Sequence, residues 1–201
     1  MNVITISREF GSGGREVGKR LADALGYAYY DTEIIDLIAK KAGMDKNYVS
    51  TILESSPSYA IHFGATFSAI PLYDNTTQVL IAQKQVFEEL MSKGNCVIVG
   101  RGSSCLVGSG ENVFSIFVYA DMPTKVARCL ARDAEHKETA KSVEKMIKKI
   151  DKNRRHYTET YFGVEWGKKE NYSMTINTSG LEIKKIVPGL ASYIQGYFEG
   201  K

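Results

Sequence analysis

Val3-Ile-Thr-Ile-Ser-Arg-Glu-Phe-Gly-Ser-Gly-Gly-Arg-Glu16 decides the fold of this 201-residue chain. Val3, Ile4 and Ile6 form a short apolar run rich in β-branched residues, which predicts a buried strand. Gly11, Gly13 and Gly14 interrupt it. Val17, Leu21, Ala24 and Leu25 then recur at helical spacing, and Gly26 supplies the stop. A strand, a glycine turn and a helix in that order let backbone N–H groups converge beside the positive end of the helix dipole. Such a cradle suits phosphate.

The turn departs from the pattern G-x-x-x-x-G-K-[ST], whose lysine reaches the β- and γ-phosphates and whose hydroxyl holds magnesium. A literal near-match runs from Gly13 to Gly18 and Lys19, with Arg20 where Ser or Thr belongs. Val17 is part of the apolar stripe, so that register puts Gly18 and Lys19 inside the helix, past its phosphate-binding end. The register ending at Gly13-Gly14 is preferred. It leaves glycine in the lysine slot, Arg15 beside it and Glu16 near the hydroxyl slot. Gly11, Ser12, Gly13, Gly14, Arg15 and Glu16 are therefore the candidate phosphate-binding residues. Arg15 can replace the missing charge with a bidentate fork. Glu16 can approach magnesium directly or through water, or serve only as a first-turn acid.

Composition narrows the classes. A hydrophobic fraction of 43% is ample for a core, and the net charge is only +3, so bulk electrostatics demand neither nucleic acid nor an anionic membrane. Cys96, Cys105 and Cys129 show no metal spacing and no disulfide framework, which favours a reducing cytoplasm. Met1 leads straight into the first strand without room for a signal peptide. No apolar run approaches the roughly 20 residues that span a bilayer.

Further along, Tyr27 to Tyr30 reads as a short aromatic strand leading to Asp31. That acid can cap the helix built on Ile34, Ile35, Leu37 and Ile38, or face a ligand crevice at a strand end. The stretch after Gly43 is hard to read as far as Tyr73, and its aromatics suit either a base pocket or a small helical cap. Asn75 starts a helix through Val79, Ala82, Val86, Phe87 and Leu90. Cys96 to Val99 is a second buried strand, with Arg101 after Gly100 at its carboxyl end, where a fork suits a substrate phosphate. Val113 to Tyr119 is a third, followed by a helix from Asp121-Met-Pro123.

From Lys125 to Arg155 there are eleven Lys/Arg against five Asp/Glu. Arg128 and Arg132 are spaced to share a helix face, as are Asp151 and Arg155. Beside a phosphate cradle, this basic segment suggests a lid that neutralises a transferred phosphoryl group, although most of its lysines face water. The helix is expected to end near Tyr157, before a turn holding Tyr161, Phe162 and Trp166. Tyr172 to Ser179 reads as a last strand and turn, with Asn177 and Ser179 as helix caps first and base-contacting groups second. A final helix is expected on Leu181, Ile186, Leu190, Ile194 and Phe198. The element order predicts an α/β fold with a parallel sheet flanked by helices.

Ile4-Thr-Ile6 with Gly11-Ser-Gly-Gly-Arg15, Tyr30-Asp31, Gly100-Arg101, the basic helices and Asn177-Thr-Ser179-Gly-Leu181 together resemble the cytidylate kinase-like branch of the P-loop nucleoside monophosphate kinases. The resemblance implies a three-layer P-loop fold over residues 1–201, a helical nucleotide-binding insertion at about 43–93 and a basic lid at about 132–165. It also implies ATP and Mg²⁺, nucleotide substrates, and γ-phosphoryl transfer to CMP or dCMP. Asp31 falls on the family's nucleoside-contacting acid and Arg101 on its Gly-Arg-Asp arginine. Lys125 and Arg128 fall on a basic pair, and Asp151 and Arg154 on the lid-end Asp-x-x-Arg. On this reading Arg15, Arg128 and Arg154 act on the transferring phosphoryl group, and Lys125, Arg132, Asp151 and Arg155 belong to the lid. The chain departs from the family by lacking the loop lysine and hydroxyl, by Gly102 in place of the acid after Arg101, and by Ile147 in one lid-arginine slot. A nucleotide-binding regulatory module is the alternative, favoured by the altered loop. A nucleic-acid-binding protein would need a broader basic footprint.

Overall fold

The computed structural model describes residues 1–54, 75–133 and 137–200. The segment with Ile61 to Phe67, including His62, lies outside the described residues. Strand β1 (Val3–Arg8) leads through the glycine turn to α1 (Gly14–Leu25), then β2 (Ala28–Tyr30), α2 (Glu33–Ala42) and α3 (Lys46–Glu54). After the undescribed segment come α4 (Asn75–Ser92), β3 (Cys96–Val99), a short α5 (Ser103–Leu106), β4 (Val113–Tyr119) and α6 (Met122–Leu130). The long α7 (Ala140–Phe162), a 3-10 turn (Lys169–Asn171), β5 (Met174–Asn177) and α8 (Ile183–Glu199) complete the described chain.

Among the described residues five strands form one parallel sheet, in the order β2-β3-β1-β4-β5. β1 is central, with Ile6 opposite both Val99 of β3 and Ile116 of β4. Because side chains alternate along a strand, β3 divides its apolar residues between two cores. Cys96 and Ile98 join α2, α3, α4 and Tyr157 on one face. Val97 and Val99 join Val17 and Leu21 of α1 and Val187 and Ile194 of α8 on the other. Strands buried on both sides need continuous hydrophobic runs, which is why β1, β3 and β4 read so clearly. The predicted three-layer α/β fold is what the chain adopts.

Several local expectations hold. α1 starts at Gly14, so Gly18 and Lys19 do lie within it. α4 starts at Asn75 and buries Val79, Ala82, Val86, Phe87 and Leu90. Asp121 caps α6, its carboxylate accepting from the Thr124 N–H at 2.8 Å.

Others are corrected. α7 runs on to Phe162, because Tyr157, Tyr161 and Phe162 pack together into the core. Arg132 lies beyond the end of α6 and shares no helix face with Arg128. Leu181 precedes α8 and is exposed, and the buried stripe is Ile183, Val187, Leu190, Ala191 and Ile194. Asn177 and Ser179 shape the turn before α8 rather than cap it: Asn177 Oδ1 accepts from the Ser179 N–H and hydroxyl, and Ser179 Oγ accepts from the Asp121 N–H. The three cysteines are free thiols. Among the described residues no helix is long and apolar enough to cross a membrane.

Candidate active site

In an open parallel sheet, strand ends and the turns that follow them surround the ligand crevice. Here the carboxyl ends of β2, β3 and β1, neighbours in the sheet, carry Asp31, Arg101 and Arg8 respectively. α1 adds Arg15 and α7 adds Arg154. Around a cavity of about 330 Å³ stand Arg8, Arg15, Arg101 and Arg154, with Phe10, Gly100 and Tyr157 also in the wall. That volume suits a small organic ligand.

Asp31 does not cap α2, whose N-cap is Thr32 without a side-chain hydrogen bond. Its buried carboxylate (6% exposed) instead pairs with Arg15 Nε at 2.5 Å and Arg8 Nη2 at 3.8 Å, and accepts weakly from the Tyr29 hydroxyl at 3.4 Å. Arg154 Nη1 donates to the Arg8 carbonyl at 2.9 Å and lies over the Phe10 ring. Burial, followed by repulsion from Arg154, lowers the Arg8 pKa to about 9, with Asp31 opposing the shift and Arg101 and Arg15 adding to it. An anion in the cavity would relieve that repulsion.

Arg101 is held in the left-handed region at φ 56°, a strained state for a side-chain-bearing residue. A buried relay maintains it. The Tyr157 hydroxyl donates to Gln83 Oε1 at 2.9 Å, and Gln83 Nε2 donates to the Arg101 carbonyl at 2.7 Å. Gly102 stands where the resemblance expects an acid for a reason of space: a Cβ there would come within 2.6 Å of the Phe162 ring, and its φ is +66°.

The glycine turn begins α1 with Gly13 at φ 85° as N-cap and no side-chain cap. The first N–H groups of a helix have no intrahelical partner, so this end retains its capacity for an anion. The other side of the turn is occupied. Lys125, 5% exposed, places Nζ 2.9 Å from Glu9 Oε2 and 3.4 Å from Asp151 Oδ2. The other Asp151 oxygen accepts from the Phe10 N–H at 2.7 Å.

Arg128 donates to the carbonyls of Ser12, Thr178 and Leu181 and to the Thr178 hydroxyl, at 2.8 to 3.0 Å. Thr178 Oγ1 also donates to the Ser12 carbonyl at 2.6 Å. The Arg128 fork thus ties the turn to the segment before α8. Arg155 lies over Trp166, outside the arginine group. Glu16 pairs with Arg20 at 2.8 Å on the exposed side of α1.

Sequence reading therefore missed Arg8 and Thr178. Arg8 was hidden in what reads as the tail of a strand, where an arginine signals only an edge of the run. Thr178 lay between two residues that looked like caps. Among the described residues no group of three or more His, Cys, Asp or Glu could hold a metal. Magnesium at phosphate sites needs only one or two protein oxygens; of the nearby side chains, Glu9 is paired with Lys125, the buried Ser12 hydroxyl donates to the Glu9 carbonyl, and Glu16 in the first turn of α1 is the exposed carboxylate.

Residues 3–180 match the model of the Cytidylate kinase-like family. A cytidylate kinase from Saccharolobus islandicus is 23% identical over 193 residues, spanning 96% of this chain and 90% of that protein. An uncharacterized protein from Eubacterium ventriosum has a crystal structure similar to this one, with TM-score 0.71 and 24% identity, covering 97% of this chain and 99% of that one. Shikimate kinase from Bacteroides thetaiotaomicron is similar at TM-score 0.52 and 14% identity, covering 96% and 98%. The two structural likenesses concern the fold.

Proposed function

The chain belongs to the cytidylate kinase-like family, and from that premise we propose that it transfers the γ-phosphoryl group of ATP to a nucleoside monophosphate, with CMP or dCMP as acceptor. The observation that carries this reading is the gathering of Arg8, Arg15, Arg101 and Arg154 around one cavity beside the glycine turn. Phosphoryl transfer needs positioning and neutralisation of charge more than covalent help. A group of guanidiniums meets that need.

In the proposed arrangement, the turn at residues 11–16 receives the ATP phosphates, and the acceptor lies between Asp31 and Arg101. An oxygen of the acceptor phosphate bonds to the γ-phosphorus as the bond from that phosphorus to the β,γ-bridging oxygen breaks. The electron pair leaves with ADP, and any proton on the attacking oxygen passes to solvent. Arg15 and Arg154 neutralise the transferring group. Glu16 would hold magnesium, directly or through water, and the ion would supply positive charge to the phosphates. Arg128, proposed from sequence for the same work, acts in this reading by fixing the turn.

The insertion at about 43–93 would form the acceptor side and the segment at about 132–165 the lid, with α7 anchored by Tyr157 and Thr158 in the core. A cytoplasmic setting suits ATP chemistry and three unpaired cysteines.

The test is transfer from γ-labelled ATP with Mg²⁺ to a panel of nucleoside monophosphates, with binding measured in parallel. Preferred transfer to CMP or dCMP is the expected result. ATP binding without transfer would leave a kinase of another small molecule or a regulatory module. No ATP binding would overturn the reading.

A further inference from the structure

We propose that Arg8 takes the part of the absent loop lysine, contacting the phosphates of ATP at the transferred group, and that position 14 is glycine to make room for it. This rests on the kinase reading above but adds a residue that the loop pattern does not contain. Counted back from Gly13-Gly14, the first glycine of G-x-x-x-x-G-K falls on position 8. In this chain that glycine slot holds a cation, and the lysine slot holds a glycine. The two ends of the pattern have exchanged their side chains.

Three-dimensional packing joins the two positions. A Cβ built on Gly14 would stand 2.5 Å from Arg8 Cβ and 2.9 Å from its Cγ. Gly14 lies in the first turn of α1 and shows no left-handed backbone, unlike Gly11 and Gly13. Its lack of a side chain therefore answers a need for space, not for conformation. The Arg8 side chain crosses that space, and its guanidinium ends against Gly100, where a Cβ would collide with it. There it faces Asp31 and shares the cavity wall with Arg15, Arg101 and Arg154.

Arg15 is less suited to the lysine's work. Its side chain is 61% exposed and its Nε is committed to Asp31 at 2.5 Å. The Arg8 side chain is 13% exposed. Charge held out of water acts more strongly on a phosphate than charge in solvent. Burial first, then repulsion from Arg154, keeps the Arg8 pKa low, as for a cation held out of water beside other cations.

The experiment compares the wild type with Arg8→Ala, Arg8→Lys and the double variant Arg8→Gly/Gly14→Lys. For each, folding is followed by circular dichroism, ATP affinity by calorimetry, and turnover with γ-labelled ATP and CMP. Arg8→Ala is expected to lose about 100-fold in turnover, the scale of removing one transition-state donor, and to bind ATP more weakly. Arg8→Lys should keep part of both. The double variant, which restores the first glycine and the lysine of the usual loop, should recover at least about tenfold over Arg8→Ala, since it returns a cation to the same space. Wild-type affinity and turnover in Arg8→Ala would overturn the proposal. So would a double variant that does not fold, or that folds and binds ATP no better than Arg8→Ala. If Arg8→Ala does not fold, the double variant decides alone: ATP binding supports the exchange and its loss overturns it. If the wild type binds ATP but phosphorylates no monophosphate, the acceptor reading fails and the affinity series still decides Arg8. A wild type that does not bind ATP overturns both.

Discussion

On one side of the glycine turn the buried Lys125 faces two acids, Glu9 and Asp151, and Arg154 lies 3.6 Å from Asp151 as well. On the other side two cations, Arg8 and Arg15, share one acid, Asp31. The two regions are built from the same kinds of residue, yet the first has an acid for each paired cation and the second has one acid for two. The Lys125 side is complete within the protein and ties the turn to α6 and α7. The Asp31 side has more positive charge in its paired groups than its carboxylate can balance, and it opens into the cavity. Basic residues that look alike in sequence therefore divide into braces and ligand groups.

Removing the brace should give the largest loss of stability. Lys125→Met leaves Glu9 without its buried cation and Asp151 with only the longer contact to Arg154, at a cost of about 3–4 kcal/mol, read from urea denaturation. Burial already raises the Asp151 pKa. A carboxyl whose folded pKa is raised binds more protons folded than unfolded, so stability falls as pH rises through the window between its ordinary value and the raised one. The Lys125→Met deficit against wild type should accordingly shrink as pH is lowered toward the ordinary carboxylate range. Inorganic phosphate should not repair it.

Asp31→Asn attacks the other side. Arg8 and Arg15 lose their common anion, and stability should fall by about 2–3 kcal/mol. Millimolar phosphate should recover part of that loss in a thermal melt, because the ligand supplies the missing negative charge. Equal rescue of both variants by phosphate would erase the distinction between the two regions.

Arg128→Ala tests a second brace. Losing its bonds to Ser12, Thr178 and Leu181 should cost about 2 kcal/mol, and Arg128→Lys should restore less than half, because an ammonium cannot reproduce the fork. The smallest effect on folding belongs to Arg15→Ala. Its side chain is well exposed, so stability should change by less than about 1 kcal/mol. Turnover should fall by about tenfold or more, as expected when a positioned cation is removed from a phosphoryl-transfer site. Unchanged turnover in Arg15→Ala would remove it from the mechanism.

The residues that announced the site in sequence were those with a local signature. Gly11, Gly13 and Gly14 interrupted a strand-to-helix transition. Asp31 and Arg101 each followed an apolar run. Arg8 and Thr178 had no such signature, because their importance comes from partners far along the chain: Gly100 and Asp31 for one, Ser12 and Arg128 for the other. Lys125 was legible as basic but not as buried. Its exposure is decided by α7, which brings Asp151 over it.

By itself the amino-acid order determined the strands, the register of the glycine turn and hence the layered α/β architecture. Apolar periodicity and glycine punctuation are properties of neighbouring residues and need no tertiary partner to be read. Only the tertiary structure decided which cations face the cavity and which are spent on the protein itself. A charge declares its role through its surroundings, and those surroundings come from three strand ends, a turn and a distant helix that meet only in the folded chain.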